Sequence, residues 1–152
     1  LEFIQDESCG KCVPCRVGTR RMLEILTRIC EGNGREGDIE LLESLSKEIR
    51  QDSLCGLGQG APNPVVSTLK HFRHEYEAHI KDKKCPAKVC RALISYEINP
   101  ENCVGCTLCA RNCPVDAITG EAKKTHVIDP DLCIRCGICS QVCNYDAVNV
   151  TT

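Results

Sequence analysis

Cys103-Val104-Gly105-Cys106-Thr107-Leu108-Cys109-Ala110-Arg111-Asn112-Cys113-Pro114 is the stretch from which the rest of the chain is read. Its thiols fall at C-x2-C-x2-C-x3-C, and the same spacing returns thirty residues later at Cys133, Cys136, Cys139 and Cys143. The flanks repeat too. Ile98-Asn99-Pro100-Glu101-Asn102 matches Ile128-Asp129-Pro130-Asp131-Leu132, and each run leads into a short apolar segment, Val115-Asp116-Ala117-Ile118 and Tyr145-Asp146-Ala147-Val148. Three thiolates at every third residue can wrap one metal centre in a tight loop, but a fourth ligand must arrive from elsewhere. A pair of zinc knuckles is the competing reading, because C-x2-C is common in zinc sites. The doubled three-plus-one spacing, with Pro114 after the first run, fits zinc poorly and iron–sulfur cubanes well.

From about Ile94 to Val150 the pattern resembles the bacterial ferredoxins that carry two [4Fe–4S] clusters. In that family the fourth cysteine of each run ligates the cluster of the other run. The resemblance therefore implies Cys103, Cys106, Cys109 and Cys143 for one cluster, and Cys133, Cys136, Cys139 and Cys113 for the second. It implies short β-hairpins and helices around the clusters, and electron transfer as the activity. Asn144 stands where the family has its second proline, so a looser turn is expected there.

With 152 residues the chain has room for one or two small domains. Fifteen cysteines in a secreted chain would suggest a disulfide scaffold. Here the clustered spacing and the odd count point to metals, a reducing compartment and a cytoplasmic location. No secretory h-region and no run of about 18 apolar residues is present. A net charge of −2 gives no indication of a nucleic-acid or anionic-membrane partner. The sequence opens at Leu1 without an initiator Met, and a piece of something longer is expected.

A second cysteine group lies at the start: Glu7-Ser8-Cys9-Gly10-Lys11-Cys12-Val13-Pro14-Cys15-Arg16-Val17-Gly18. Three thiols at C-x2-C-x2-C again suit three corners of a cubane, and Cys55, in Ser53-Leu54-Cys55-Gly56-Leu57-Gly58, is the candidate fourth. Met22, Leu23, Ile25, Leu26 and Ile29 fall at helical spacing and end at Gly32 and Gly34. Ile39, Leu41, Leu42, Leu45 and Ile49 do the same, with Asp38 as the expected N-cap. A third helix is expected from Pro64 through Val65, Leu69, Phe72 and Tyr76. Such short helices with apolar faces predict a small bundle, which would carry Cys55 back over the first loop. Gly56-Leu57-Gly58-Gln59-Gly60 follows a helix, not a strand, and reads as a tight loop at the cluster, not a nucleotide fingerprint.

These motifs, over about residues 1–90, resemble the flavin-bearing NADH dehydrogenase subunit of complex I and its relatives. The resemblance implies one [4Fe–4S] cluster on Cys9, Cys12, Cys15 and Cys55, fed by FMN that NADH reduces. A helical domain followed directly by a two-cluster ferredoxin resembles the β subunit of electron-bifurcating or NAD(P)-reducing [FeFe] hydrogenases. Related formate dehydrogenase and ferredoxin–NAD(P) oxidoreductase complexes share the layout. By this resemblance FMN and NAD(P) belong to an upstream region outside these residues, and the partners are ferredoxin and the iron–sulfur or hydrogenase subunits of a multimeric complex.

Cys30, Cys85 and Cys90 remain over. Cys30 ends an apolar stripe and is expected to be a small buried hydrophobe. Cys85 and Cys90, a C-x4-C pair near His79, are candidate zinc ligands, and His126 is a candidate to close a Cys2His2 site that would tie the ferredoxin to the bundle. His71 and His74 are expected to face solvent. Lys11 and Arg16 flank the first cysteine loop, where positive charge favours a reduced cluster, or serve as plain surface charge. Lys123 and Lys124 read as a solvated turn. No acid–base pair and no Ser–His–Asp pattern stands out, so no catalytic residue is expected. The expected fold class is α plus α+β: a helical iron–sulfur bundle over residues 1–83, a linker with a candidate zinc site over 84–93, and a two-cluster ferredoxin-like domain over 94–152. A free-standing ferredoxin-like carrier and a zinc-rich structural module are the rival functional classes.

Overall fold

The computed structural model describes all residues from Leu1 to Thr152. The chain forms two compact units, Leu1–Lys84 and Cys85–Thr152.

The first unit is helical. After a short α1 (Glu2–Asp6), a π-helical turn at Pro14–Gly18 runs directly into α2 (Thr19–Cys30). α3 (Asp38–Asp52), the five-residue α4 (Gly56–Gly60) and α5 (Asn63–Glu77) follow, and a second π-helical turn closes the unit at Ala78–Asp82. The core draws on the set that the periodicity marks out: Met22, Ile25 and Ile29 from α2, Ile39, Leu42 and Ile49 from α3, and Val65 and Leu69 from α5, with Ala61 and Ile80, while Leu41 of the expected stripe is exposed. Three expectations need correcting. Asp38 is not the N-cap of α3, because Gly37 holds that position. Asp38 is buried instead as the first helical residue, where its carboxylate accepts hydrogen bonds from the Arg28 guanidinium and from the backbone N–H of Arg35. Phe72 lies on the α5 stripe but is half exposed, since the backbone leaves helical geometry there (φ −129°, ψ 30°) and turns the ring off the core face. Gly56–Gly60 forms a turn of helix, not a loop.

The second unit carries a small core of its own at its start. Cys85, Leu93 and Ile94 are buried there, packed with Cys90, Tyr96 and Val150, so the stretch expected to be a linker is packed over part of its length. β1 (Ser95–Ile98) pairs antiparallel with β4 (Val148–Thr151), with Ser95 opposite Thr151 and Ile98 opposite Val148. β2 (Ile118–Thr119) pairs with β3 (Val127–Ile128). Two single-turn helices, α6 (Leu108–Arg111) and α7 (Ile138–Gln141), begin inside the cysteine runs.

The thirty-residue repeat is a repeat of backbone as well as of sequence. Positive φ recurs at Gly105 and Arg135, at Thr107 and Gly137, and at Asp116 and Asp146. Asn99 N donates to Ala147 O at 2.7 Å, and Asp129 N donates to Ala117 O at 2.7 Å. Each half thus closes on the other, which is how the fourth cysteine of each run comes to face the other run.

Candidate iron–sulfur and metal sites

In the second unit the eight repeat cysteines divide between two small cavities of equal size, about 20 Å³ each. Cys103, Cys106, Cys109 and Cys143 line one, and Cys133, Cys136, Cys139 and Cys113 line the other. The rest of each lining is mostly apolar, including Ile98, Leu108 and Val148 in the first and Ile118, Ile128 and Ile138 in the second. Burial pushes the Cys109 thiol up and the Cys139 thiol up to about 11, with hydrogen bonds from backbone N–H groups opposing it and the neighbouring thiolates adding to it. Four thiols converge on each of these largely apolar cavities. That donor set fits an iron–sulfur cubane. Ala117 N donates to Cys113 Sγ at 3.3 Å, and Ala147 N to Cys143 Sγ at 3.4 Å. The same bond is therefore made in both halves, with Asn144 in the place of the proline.

In the first unit the cysteine loop precedes and enters the first π-helical turn. Cys9 is exposed, Cys12 is half-buried and Cys15 is buried. Arg16 donates to Gly10 O at 2.9 Å, so this cation braces the loop. Ser8 Oγ lies 3.4 Å from Cys15 Sγ. Cys55 caps α4, and the N–H groups of Gly58 and Leu57 hold its thiol below the ordinary value. α4 lies close against the loop, since a Cβ placed on Gly58 would stand 3.3 Å from Cys15 Cβ. The structure thus brings the α4 turn that carries Cys55 next to the π-turn that carries Cys15.

Of the candidate zinc ligands, His79 is buried in the first unit, and Cys85 is buried and Cys90 half-buried in the second. His79 Nδ1 is 2.7 Å from Glu75 O. A carbonyl only accepts, so Nδ1 donates and the ring lone pair is on Nε2, the arrangement of most metal-bound histidines. Val89 N and Cys90 N donate to Cys85 Sγ at 3.4 and 3.5 Å. His126 is the remaining residue of that candidate set. Its ring is buried on the cavity of Cys103, Cys106, Cys109 and Cys143, with Nδ1 3.1 Å from Lys124 O. Cys30, expected to be buried, is exposed, because the helix ends at it. His71 and His74 are exposed, as is the Lys124–Glu121 ion pair of the expected turn.

Tyr96 lines the second cavity together with Cys133, Cys136 and Cys139, and burial followed by those thiolates pushes its phenol up, keeping it neutral. Sequence reasoning missed this residue, although the repeat pairs position 96 with position 126.

Comparison with known proteins agrees with this division. Residues 1–79 match the NADH-ubiquinone oxidoreductase-F iron–sulfur binding region, and residues 96–150 match a 4Fe-4S dicluster domain. The chain is 55% identical over 126 residues to the NADP-reducing hydrogenase subunit HndC of Solidesulfovibrio fructosivorans, covering 83% of this chain and 26% of the relative. It is 48% identical over 86 residues to the F 2 subunit of NADH-quinone oxidoreductase from Rhizobium meliloti (strain 1021), covering 57% and 20%. Among solved structures it resembles an NAD+-reducing [NiFe]-hydrogenase in the H2-reduced state, with a TM-score of 0.50 and 39% identity, over 53% of this chain and 14% of that one. The chain spans about a quarter or less of the length of these relatives. With cysteine loops of the matching kind in both units, the chain belongs to the NADH-ubiquinone oxidoreductase-F iron–sulfur binding family, extended by a 4Fe-4S dicluster domain.

Proposed function

We propose that this chain is an electron-transfer segment of an NAD(P)-linked hydrogenase subunit, carrying three [4Fe–4S] clusters between an upstream NAD(P)H and FMN site and a ferredoxin or hydrogenase partner. The observation that carries this reading is the pair of cavities, each lined by three cysteines of one run and the fourth of the other. Identity to the NADP-reducing hydrogenase subunit, which extends past the helical unit, supports hydrogenase over the other NADH-linked complexes. Bound clusters would supply one-electron chemistry, which the side chains themselves lack.

The work of the protein is to hold, order and insulate. Cys103, Cys106, Cys109 and Cys143 hold one cluster, Cys133, Cys136, Cys139 and Cys113 the second, and Cys9, Cys12, Cys15 and Cys55 the third. Backbone N–H groups directed at Cys113, Cys143 and Cys55 stabilise negative charge on sulfur. Apolar linings keep water from the two cavities of the second unit. His79, Cys85 and Cys90 hold a zinc ion, with the ring oriented by Glu75 O.

Iron and acid-labile sulfide analysis of anaerobically purified protein tests the scheme. About 12 irons per chain are expected from three clusters of four. Cys55→Ala should lose about four of them and leave the interacting EPR signals of the other two clusters intact. Full iron retention in that variant would refute Cys55 as a ligand, and zinc without iron would refute electron transfer.

A further inference from the structure

Ser53 is 3% exposed, yet its Oγ has no hydrogen-bond partner within the protein. A buried hydroxyl left unpaired is costly, so such a group calls for a partner that the chain itself does not supply. The main chain at this residue needs nothing further. Ser53 caps the C-terminal end of α3, its N–H donates to Ile49 O at 3.2 Å, and its carbonyl accepts from Gln59 Nε2 at 3.0 Å. The backbone on both sides of the side chain is thus paired and held, and only the hydroxyl is left over.

The hydroxyl is held next to the first cysteine site. Ser53 stands two residues before Cys55, which caps α4. A Cβ on Gly58 of α4 would lie 2.6 Å from Ser53 Oγ and 3.3 Å from Cys15 Cβ. The hydroxyl and the buried Cys15 therefore flank the same point of α4, and glycine at that point lets them approach.

The other donors around this site already have their sulfurs. The N–H groups of Gly58 and Leu57 are directed at Cys55. Ser8 Oγ lies 3.4 Å from Cys15 Sγ and accepts from Gly10 N at 3.3 Å. A thiolate only accepts, so Ser8 is the donor to Cys15 when that sulfur is a ligand. Ser53 is the donor without an acceptor.

Resting on the iron–sulfur reading above, we propose that Ser53 Oγ–H donates to a sulfur of the cluster held by Cys9, Cys12, Cys15 and Cys55, and thereby raises that cluster's potential. The hydroxyl is neutral, so the bond requires no change of protonation. A donor on sulfur favours the reduced state, because that state carries the more negative charge. The cluster of the helical unit becomes the better acceptor of electrons from the upstream site. Ser53 tunes the cluster in this scheme and is not an iron ligand.

Reductive titration followed by EPR on the anaerobic, iron-loaded full chain tests this. Ser53→Ala removes the hydroxyl alone. Ser46→Ala is the control, since Ser46 is equally buried but its hydroxyl donates to Leu42 O within α3. The expected result for Ser53→Ala is about a tenfold fall in the reduction equilibrium of one cluster, about 59 mV for one electron, with the two ferredoxin-type clusters unmoved. Ser46→Ala should move none. Full iron content with unchanged potentials in Ser53→Ala overturns the proposal, as does an equal shift in Ser46→Ala. If Ser53→Ala loses iron, a crystal structure of the iron-loaded natural protein decides: Ser53 Oγ within hydrogen-bond reach of a cluster sulfur is expected, and a hydroxyl bonded elsewhere overturns the proposal. About eight irons in the natural protein would overturn the cluster reading for the helical unit, and this proposal with it.

Discussion

Asp38 carries a charge in a place that ought to remove one. Burial alone would raise its carboxyl, but hydrogen bonds from the Arg28 guanidinium and from the Arg35 N–H, with the charges of both arginines, outweigh burial and hold it below the usual carboxylate range. The pair joins the end of α2 to the start of α3 across the Gly32–Gly37 turn. Arg73, by contrast, bridges Glu40, Glu43 and Glu77 on the open surface, where such pairs are worth about 0–1 kcal/mol. Asp38→Ala leaves Arg28 without its partner and should cost about 3 kcal/mol of helical-unit stability, measured by denaturant unfolding. Because the folded-state value is the lower one, this stabilisation is present above the ordinary Asp value of about 3.9 and is lost as pH falls through the depressed one. Unfolding midpoints of natural protein and variant should converge in acid, and a constant difference down to that range would refute the assignment. Sequence periodicity located Asp38 at the helix start but assigned it the capping role. The difference lies in Arg28, ten residues away, whose position depends on the turn between.

Elements of two kinds make the sites. The helices of the first unit follow from apolar spacing, and Met22, Ile25, Ile29, Ile39, Leu42 and Ile49 are buried where the pattern puts them. The cysteine loops follow from backbone conformations that recur at thirty-residue intervals, and one of them is held to a glycine by close packing. Gly105 has φ 69°, and a Cβ there would meet the backbone of Lys123 and Lys124 at 2.5–2.7 Å. Arg135, its partner in the repeat, carries a side chain at φ 57°. Gly105→Val should therefore add about 1–3 kcal/mol of backbone strain on top of the clash and lose about four irons, those of the adjacent cluster. The equivalent Arg135→Gly should retain all iron. Equal iron content in the two variants would show that the Lys123–Lys124 backbone yields freely. The turn after Cys143 was expected to loosen for want of a proline, yet its N–H to sulfur bond and its positive φ at Asp146 match the turn after Cys113. The turn keeps the same geometry with asparagine in the place of proline.

At the scale of the molecule, each unit has its own core and its own cysteines, and the proposed zinc should be separable from the clusters. Cys90→Ser should remove zinc while leaving about 12 irons per chain, as read by elemental analysis; loss of iron alongside zinc would show that Cys90 belongs to a cluster. No helix is long and apolar enough to cross a membrane. The kind of chemistry was determined by the sequence alone, because a cubane loop is local: the covalent chain sets C-x2-C-x2-C, and repetition at thirty residues tells which runs belong together. Helix positions were legible for a similar reason, since period and turn residues act over a few neighbours. What only the tertiary structure decided is the surroundings of single residues. His126 lines the cavity of Cys103, Cys106, Cys109 and Cys143, Cys30 turns outward, Phe72 leaves the core face, and Tyr96 enters a cavity, because each environment is made by segments distant in the chain that meet only when the halves close on one another and the helices pack.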